Sequence, residues 1–160
     1  MPYVIDSSAI IDGRRRYYPP SVFPGLWENI EELIAGGELI APDEVYADLE
    51  RKDDEVHAWA KTQNGLFIPL NEEIQIATTG VLAAYPEWIP PDRSKNVADA
   101  FVVALARVRG CPVVSGEKWT DSPKPDRNRI PNVCDGLGVL HLSFLQMLLD
   151  LEWRFPPRYR

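Results

Sequence analysis

Four acidic residues, Asp6, Asp48, Asp99 and Glu117, stand where an α/β protein assembles a ligand site. Asp6 closes the strand-forming run Tyr3-Val4-Ile5 and is followed by Ser7-Ser8. Open parallel sheets bind ligands outside the carboxyl ends of their strands, where this spacing puts it. The same residue also suits the cap of the helix that follows. Asp48 comes three residues after Val45 and shares its core-facing stripe, whereas Glu44 lies off that stripe. Asp99 sits in the first turn of an otherwise apolar segment, Val97 to Ala106. A carboxylate with apolar neighbours must be satisfied by its own helix N-terminus or by something bound. Glu117 follows the apolar run Val113-Val114-Ser115.

Singly, Asp48 and Glu117 read equally well as solvated surface acids. Together the four supply hard oxygen donors without a Cys/His set, which matches Mg2+ or Mn2+ and not zinc. Such ions serve phosphoester hydrolysis: one lowers the pKa of a bound water, and a second stabilises the leaving oxygen. No protein nucleophile is required. The chain carries no G-x-S-x-G, no P-loop and no glycine-rich dinucleotide fingerprint. A phosphoryl-aspartate route through Asp6 lacks its partner acid two residues on, because position 8 is Ser.

Positioning these acids requires strands that alternate with helices. After the first strand, Tyr17-Tyr18-Pro19-Pro20 reads as a rigid break and Ser21 as a cap. Val22 to Ile34 follow helical spacing, ended by Gly36-Gly37. Residues 38–41 form a second strand. Pro42 opens the helix that carries Asp48, and Asp53-Asp54-Glu55 opens another. Residues 66–69 make a third strand, and Asn71 to about Trp88 an amphipathic helix. Gly80 inside it costs about 1 kcal/mol relative to Ala and marks a place for a kink. Asn96 caps the apolar helix of Asp99, which Gly110 ends. Pro112 to Ser115 form a fourth strand, and 116–131 a polar loop. Asn132-Val133-Cys134 is the fifth-strand candidate, and Gly138 to about Trp153 the last helix. The pattern predicts an α/β fold, a parallel sheet of four to five strands flanked by helices. At 160 residues one domain, 1–160, is expected.

Apolar residues make up 45% and charged residues 26% of the chain, as in an ordinary globular protein. Cys111 and Cys134 read as free thiols of a reducing compartment. Asp6 and Arg14-Arg15-Arg16 interrupt the first apolar run, so no signal peptide is expected. No stretch is long enough to span a bilayer, and the expected location is the cytoplasm. The net charge of −7 weighs against a nucleic-acid partner. That weight falls if the acids hold cations, which then dominate the local field.

The segments Val4-Ile5-Asp6-Ser7-Ser8, Val45-Tyr46-Ala47-Asp48-Leu49, Ala98 to Ala104 and Val113-Val114-Ser115-Gly116-Glu117 resemble those of the PIN-domain family. The chain looks closest to VapC-like toxins of type II toxin–antitoxin systems, in a branch with a long first loop. Tyr17-Tyr18-Pro19, Ile130-Pro131-Asn132-Val133-Cys134 and Trp153-Arg154-Phe155 look like that branch too, so the resemblance spans essentially the whole chain. It implies a three-layer, Rossmann-like fold and a Mg2+- or Mn2+-dependent endoribonuclease whose site an antitoxin blocks. It also implies that Asp6, Asp48, Asp99 and Glu117 bind the metal. Ser7 and Ser115 would orient acids or waters around it. The family's second acid is usually Glu, and Asp48 is one methylene shorter, suited to reach an ion through water. Its fourth is often Asp; Glu117 is longer, and Asp121 is placed to share its role.

Arg14, Arg15 and Arg16, followed by Tyr17, put phosphate-seeking charge beside a stacking ring. Lys118 opens a second basic loop with Lys124, Arg127 and Arg129. Both segments read equally as solvated turns. His57 and His141 receive no catalytic role. Leu145, Met147, Leu148, Leu149, Leu151 and Trp153 exceed what one helix face buries, an expectation of a homodimer or antitoxin surface. The expected function is a metal-dependent ribonuclease toxin with RNA as substrate. The alternative is a catalytically degenerate PIN-fold module that acts by binding protein or RNA.

Overall fold

A computed structural model describes residues 1–90 and 97–157 of the chain. Five strands form one all-parallel sheet: β1 (Tyr3–Ile5), β2 (Leu39–Pro42), β3 (Phe67–Ile68), β4 (Val113–Val114) and β5 (His141–Leu142). Their order is β3-β2-β1-β4-β5, so β1 lies at the centre. It pairs with β2 through Tyr3–Leu39 and with β4 through Val4–Val113. Chain direction reverses its walk across the sheet at β1, and such a switch point opens a crevice at the strands' carboxyl ends. Asp6 and Ser115 stand there, one residue past β1 and β4.

The flanking helices are α1 (Ser7–Asp12), α2 (Pro24–Ala35), α3 (Asp43–Lys52), α4 (Asp54–Lys61), α5 (Glu72–Ala84), α6 (Val97–Arg109), α7 (Ile130–Gly136) and α8 (Phe144–Asp150). The sheet and its helices make the expected three-layer α/β architecture. α6 buries Ala98, Asp99, Ala100 and Val102 through Ala106. A helix apolar on nearly every side is packed on several sides. Val4, Ala41, Val102 and Val113 are each 0% exposed where the sheet and α6 meet. Among the described residues, no helix is long and apolar enough to cross a membrane.

Four local expectations are corrected. Asn132-Val133-Cys134 is not a strand but the middle of α7. Pro131 sits in its first turn, where a missing N–H costs nothing, and Ile130, Val133 and Cys134 bury one helical face. The fifth strand is His141–Leu142, inside the segment read as the last helix. Gly138, at φ 70°, turns the chain out of α7. The final helix starts at Phe144 behind a Ser143/Gln146 capping box. α2 starts at Pro24 in its first turn, and Ser21 lies exposed before it. The break expected from Tyr17 begins at Tyr18 and runs to Phe23, because α1 runs on into a π-helical turn, Gly13–Tyr17. α5 continues through Gly80 as one helix to Ala84. The expected cap at Asn96 lies outside the described residues.

Candidate functional site

Asp6 holds both of its expected positions. It is the cap of α1: its Oδ2 accepts from the Ser8 amide (3.3 Å) and the Ser8 hydroxyl (2.6 Å). Oδ1 is buried with no hydrogen-bond partner. Burial pushes the carboxyl above its ordinary range, against the two Ser8 hydrogen bonds and the charge of Lys52. A carboxylate oxygen buried without a donor or a cation is costly, so this atom calls for a ligand.

Asp99 comes from the first turn of α6 and is 6% exposed. Its pKa is pushed up to about 9, chiefly by burial and then by the charges of Asp6 and Glu117. The three carboxyls therefore share one field at the carboxyl ends of β1 and β4. Glu117 is half-buried, and its Oε2 accepts from the Ile130 amide (2.7 Å) at the start of α7. Burial raises its pKa, while that hydrogen bond, Arg129 and Lys52 pull it down. Like charges crowded in a poorly solvated site hold a proton or take up a cation.

Asp48, 4% exposed on α3, is arranged differently. Its Oδ2 accepts from the Ser7 hydroxyl and pairs with Lys52 Nζ (2.8 Å); its Oδ1 pairs with Arg51. Its charge is thus largely met by the protein itself. Asp121 does not join the cluster. It is exposed, accepts from Trp119 Nε1 (3.1 Å), and is not among the charges that act on Asp6, Asp99 or Glu117. Of the expected metal acids, Asp6, Asp99 and Glu117 share one field, Asp48 adds its charge to Asp6 and Asp99 while tied into its own ion pairs, and Asp121 stands apart. Among the described residues, no three His, Cys, Asp or Glu side chains are gathered closely enough to hold an ion as they stand.

Of the two hydroxyls expected to orient acids, one touches a carboxylate and the other does not. Ser7 holds Asp48. Ser115 is buried, pairs with His141 Nε2 (2.7 Å) and accepts from the Glu117 amide (3.2 Å). Burial lowers the pKa of His141, which suits a neutral ring beside a hydroxyl. Because Ser115 Oγ accepts from the amide, its own proton is free to point at His141. The histidine was hidden while its segment read as helix. Ser8 does more than serve the helix cap: its hydroxyl donates to Asp6 and accepts from the Gly116 amide (2.9 Å), tying α1 to the Glu117 loop. Glu44, off the core-facing stripe of Val45 and Asp48, also faces the site's surroundings. It lines a cavity with Asp48, Arg51 and Ala98, and its Oε2 is buried without a partner. The signal was available, since Glu44 and Asp48 are four apart on one helix and lie on the same face.

The arginine triplet divides. Arg14 is not at the surface of the site. Its guanidinium lies 4.6 Å from the Trp27 ring and 4.3 Å from the Trp59 ring, between α2 and α4. Arg15 pairs with Asp53 (3.3 Å) and with Glu55. Arg16 is exposed beside Tyr17, 5.9 Å from its ring, and Lys118 is exposed past Glu117. Arg14→Ala is therefore expected to lower stability by about 1–2 kcal/mol through two lost cation–π contacts. Arg16→Ala leaves stability unchanged. Urea unfolding of the two variants checks the contrast.

The model of one protein family, described as Domain of unknown function (DUF4411), matches residues 3–155 of the chain. No curated protein matches it.

Proposed function

The chain belongs to the DUF4411 family, and we propose that this member is a Mg2+- or Mn2+-dependent endoribonuclease, the toxin of a toxin–antitoxin pair. The observation that carries the reading is the cluster of Asp6, Asp99 and Glu117, with Asp6 Oδ1 buried and unpartnered and Asp99 held near pKa 9 by burial and its neighbours. The donor set is all carboxylate oxygen, the chemistry that Mg2+ and Mn2+ prefer. Bound at these acids, a divalent ion supplies a water of lowered pKa and neutralises charge at a phosphate. Resemblance to PIN-domain toxins in the four acid-bearing segments favours RNA as substrate and an antitoxin as partner.

The protein's own groups divide the work. Asp6 and Asp99 hold the ion. Glu117, fixed through one oxygen by the Ile130 amide, presents its other oxygen. Ser8 keeps Asp6 turned, and Ser115 keeps the backbone before Glu117 in place. Asp48, neutralised by Arg51 and Lys52, positions Ser7 and brings positive charge to the rim of an otherwise acidic site. Arg16 and Lys118 are the cations placed to meet phosphates.

The test is incubation of structured and single-stranded RNAs with the protein in Mn2+, Mg2+ or EDTA. Cleavage in either metal and none in EDTA is the expected result. A second reading, a binding module on the same fold, is favoured by one observation: Asp48 already has Ser7, Arg51 and Lys52 as partners. No cleavage by the folded protein in any metal would select it.

A further inference from the structure

A cavity of about 270 Å3 lies against the acid cluster, with Asp12, Tyr17, Tyr18, Glu117, Lys118 and Phe144 in its lining. Glu117 belongs to both cavity and cluster, so an occupant sits next to whatever the acids hold. The floor is aromatic. Tyr18 stacks on Phe144 with ring centres 5.5 Å apart and planes 27° apart. Tyr17, at 6.4 Å from Tyr18, is 55% exposed, with the Arg16 guanidinium 5.9 Å from its ring centre. Gly13 makes this floor fit: a Cβ there would stand 3.2 Å from the Phe144 ring. Tyr17 closes the π-helical turn, an irregularity frequent at functional sites.

Ser115, Glu117, Ser143 and Asp12 are the polar lining, and the Asp12 carboxylate is set against the loop that precedes Glu117. A Cβ on Gly116 would come within 2.6 Å of Asp12 Oδ2, so only glycine lets the two stand so close. Lys118 supplies positive charge at the mouth.

We propose that this cavity takes an unpaired guanine base of the RNA whose backbone the acids engage, a specificity pocket that rests on the nuclease reading. Bases of single strands stack on exposed aromatic rings such as Tyr17. Asp12 only accepts hydrogen bonds. Guanine carries two adjacent donors, N1–H and the N2 amine, that match the two carboxylate oxygens. Adenine and cytosine set a single amine beside an acceptor, and uracil flanks its one N–H with two carbonyls. The aromatic floor holds any base, and Asp12 chooses among them.

The test is fluorescence anisotropy with 5′-labelled UUGUU, UUAUU, UUCUU and UUUUU, in Ca2+ so that the backbone stays intact. Wild type is expected to bind UUGUU about tenfold more tightly than UUUUU, the discrimination that one bidentate contact gives. Asp12→Asn is expected to shrink the difference to about twofold or less. Tyr17→Ala is expected to weaken all four ligands alike; its exposed side chain makes a folding defect an unsuitable explanation. Equal binding of the four RNAs by wild type overturns the proposal, as does a guanine preference that survives Asp12→Asn. Cleavage of the same RNAs in Mn2+ separates the two readings. Metal-dependent cleavage without base preference removes the pocket and leaves the nuclease. An Asp12-dependent guanine preference without cleavage leaves the pocket and removes the nuclease.

Discussion

Asp99→Asn is expected to cut metal-dependent RNA cleavage by about a thousandfold, the several kcal/mol that a cation's charge contributes at a phosphate. The same substitution is expected to raise the stability of the metal-free protein at neutral pH. The two signs follow from one cause. Asp99 is 6% exposed among apolar side chains and faces the charges of Asp6 and Glu117. Without a cation, its ionised form is unfavourable, and Asn has the same shape without the charge. A substitution that merely disordered α6 would lower activity and stability together. Cleavage rates and urea midpoints, measured on the same preparation, separate the two cases. A variant that keeps its cleavage rate removes Asp99 from the site.

The second large effect is the dependence of that stability on pH. In the unfolded chain Asp99 titrates at its ordinary value of 3.8, and in the folded chain at about 9. Below pH 4 both states hold the proton, and the folded state loses nothing. Between roughly pH 4 and pH 9 only the folded state holds it, so stability falls as pH rises. The slope is up to about 1.4 kcal/mol per pH unit for one proton. Above pH 9 both states have released it, and the loss is complete. Asp6 and Glu117, also raised by burial, act in the same direction. Other groups contribute as well, so the informative quantity is the difference between wild type and Asp99→Asn. That difference is expected to widen in favour of the variant from pH 5 to pH 9. A constant difference across that range would mean that Asp99 ionises freely in the folded protein.

Much of the frame was legible because local pattern and tertiary environment agree. β1 and β2 are apolar runs buried on both faces, and such strands belong to the interior of a parallel sheet. α6 reads as an all-round apolar helix, which singled out Asp99 as its one acid. The stripe of Val45, Asp48 and Leu49 is buried as the spacing required. The misplaced strand and helix lie after Gly116, where elements are short. β5 has two residues, too few for period-2 alternation to register. In α7, Asn132-Val133-Cys134 has strand-like composition, but Pro131 in the first turn and the Glu117 cap on Ile130 decide for helix. The true start of α8 was marked by Ser143 and Gln146, a capping-box pair.

The site was legible by type more than by relation. Of the four acids expected together, Asp6, Asp48 and Glu117 all act on Asp99, but Asp48 also has its own ion pairs with Arg51 and Lys52. Asp121 is apart, because the chain between Glu117 and Ile130 leads away over the surface. Arg14 has the composition of a nucleic-acid contact but packs between two tryptophans from other elements, a partnership that sequence spacing does not encode. On α8, Met147 and Leu148 are buried, whereas Leu145 and Leu149 are 52% and 68% exposed. The expected excess of apolar residues on that helix is therefore real, one turn apart on a single face.

The central claim is that Asp6, Asp99 and Glu117 take up a divalent cation. Calorimetric titration of the folded protein with Mn2+ at pH 7, repeated in two buffers of different ionisation heat, measures it directly. The account predicts saturable binding with about one proton released per ion, because Asp99 must give up the proton it holds. It also predicts no such binding by Asp99→Asn. Mn2+ binding without proton release and unchanged in Asp99→Asn, or no binding by wild type at all, would contradict it.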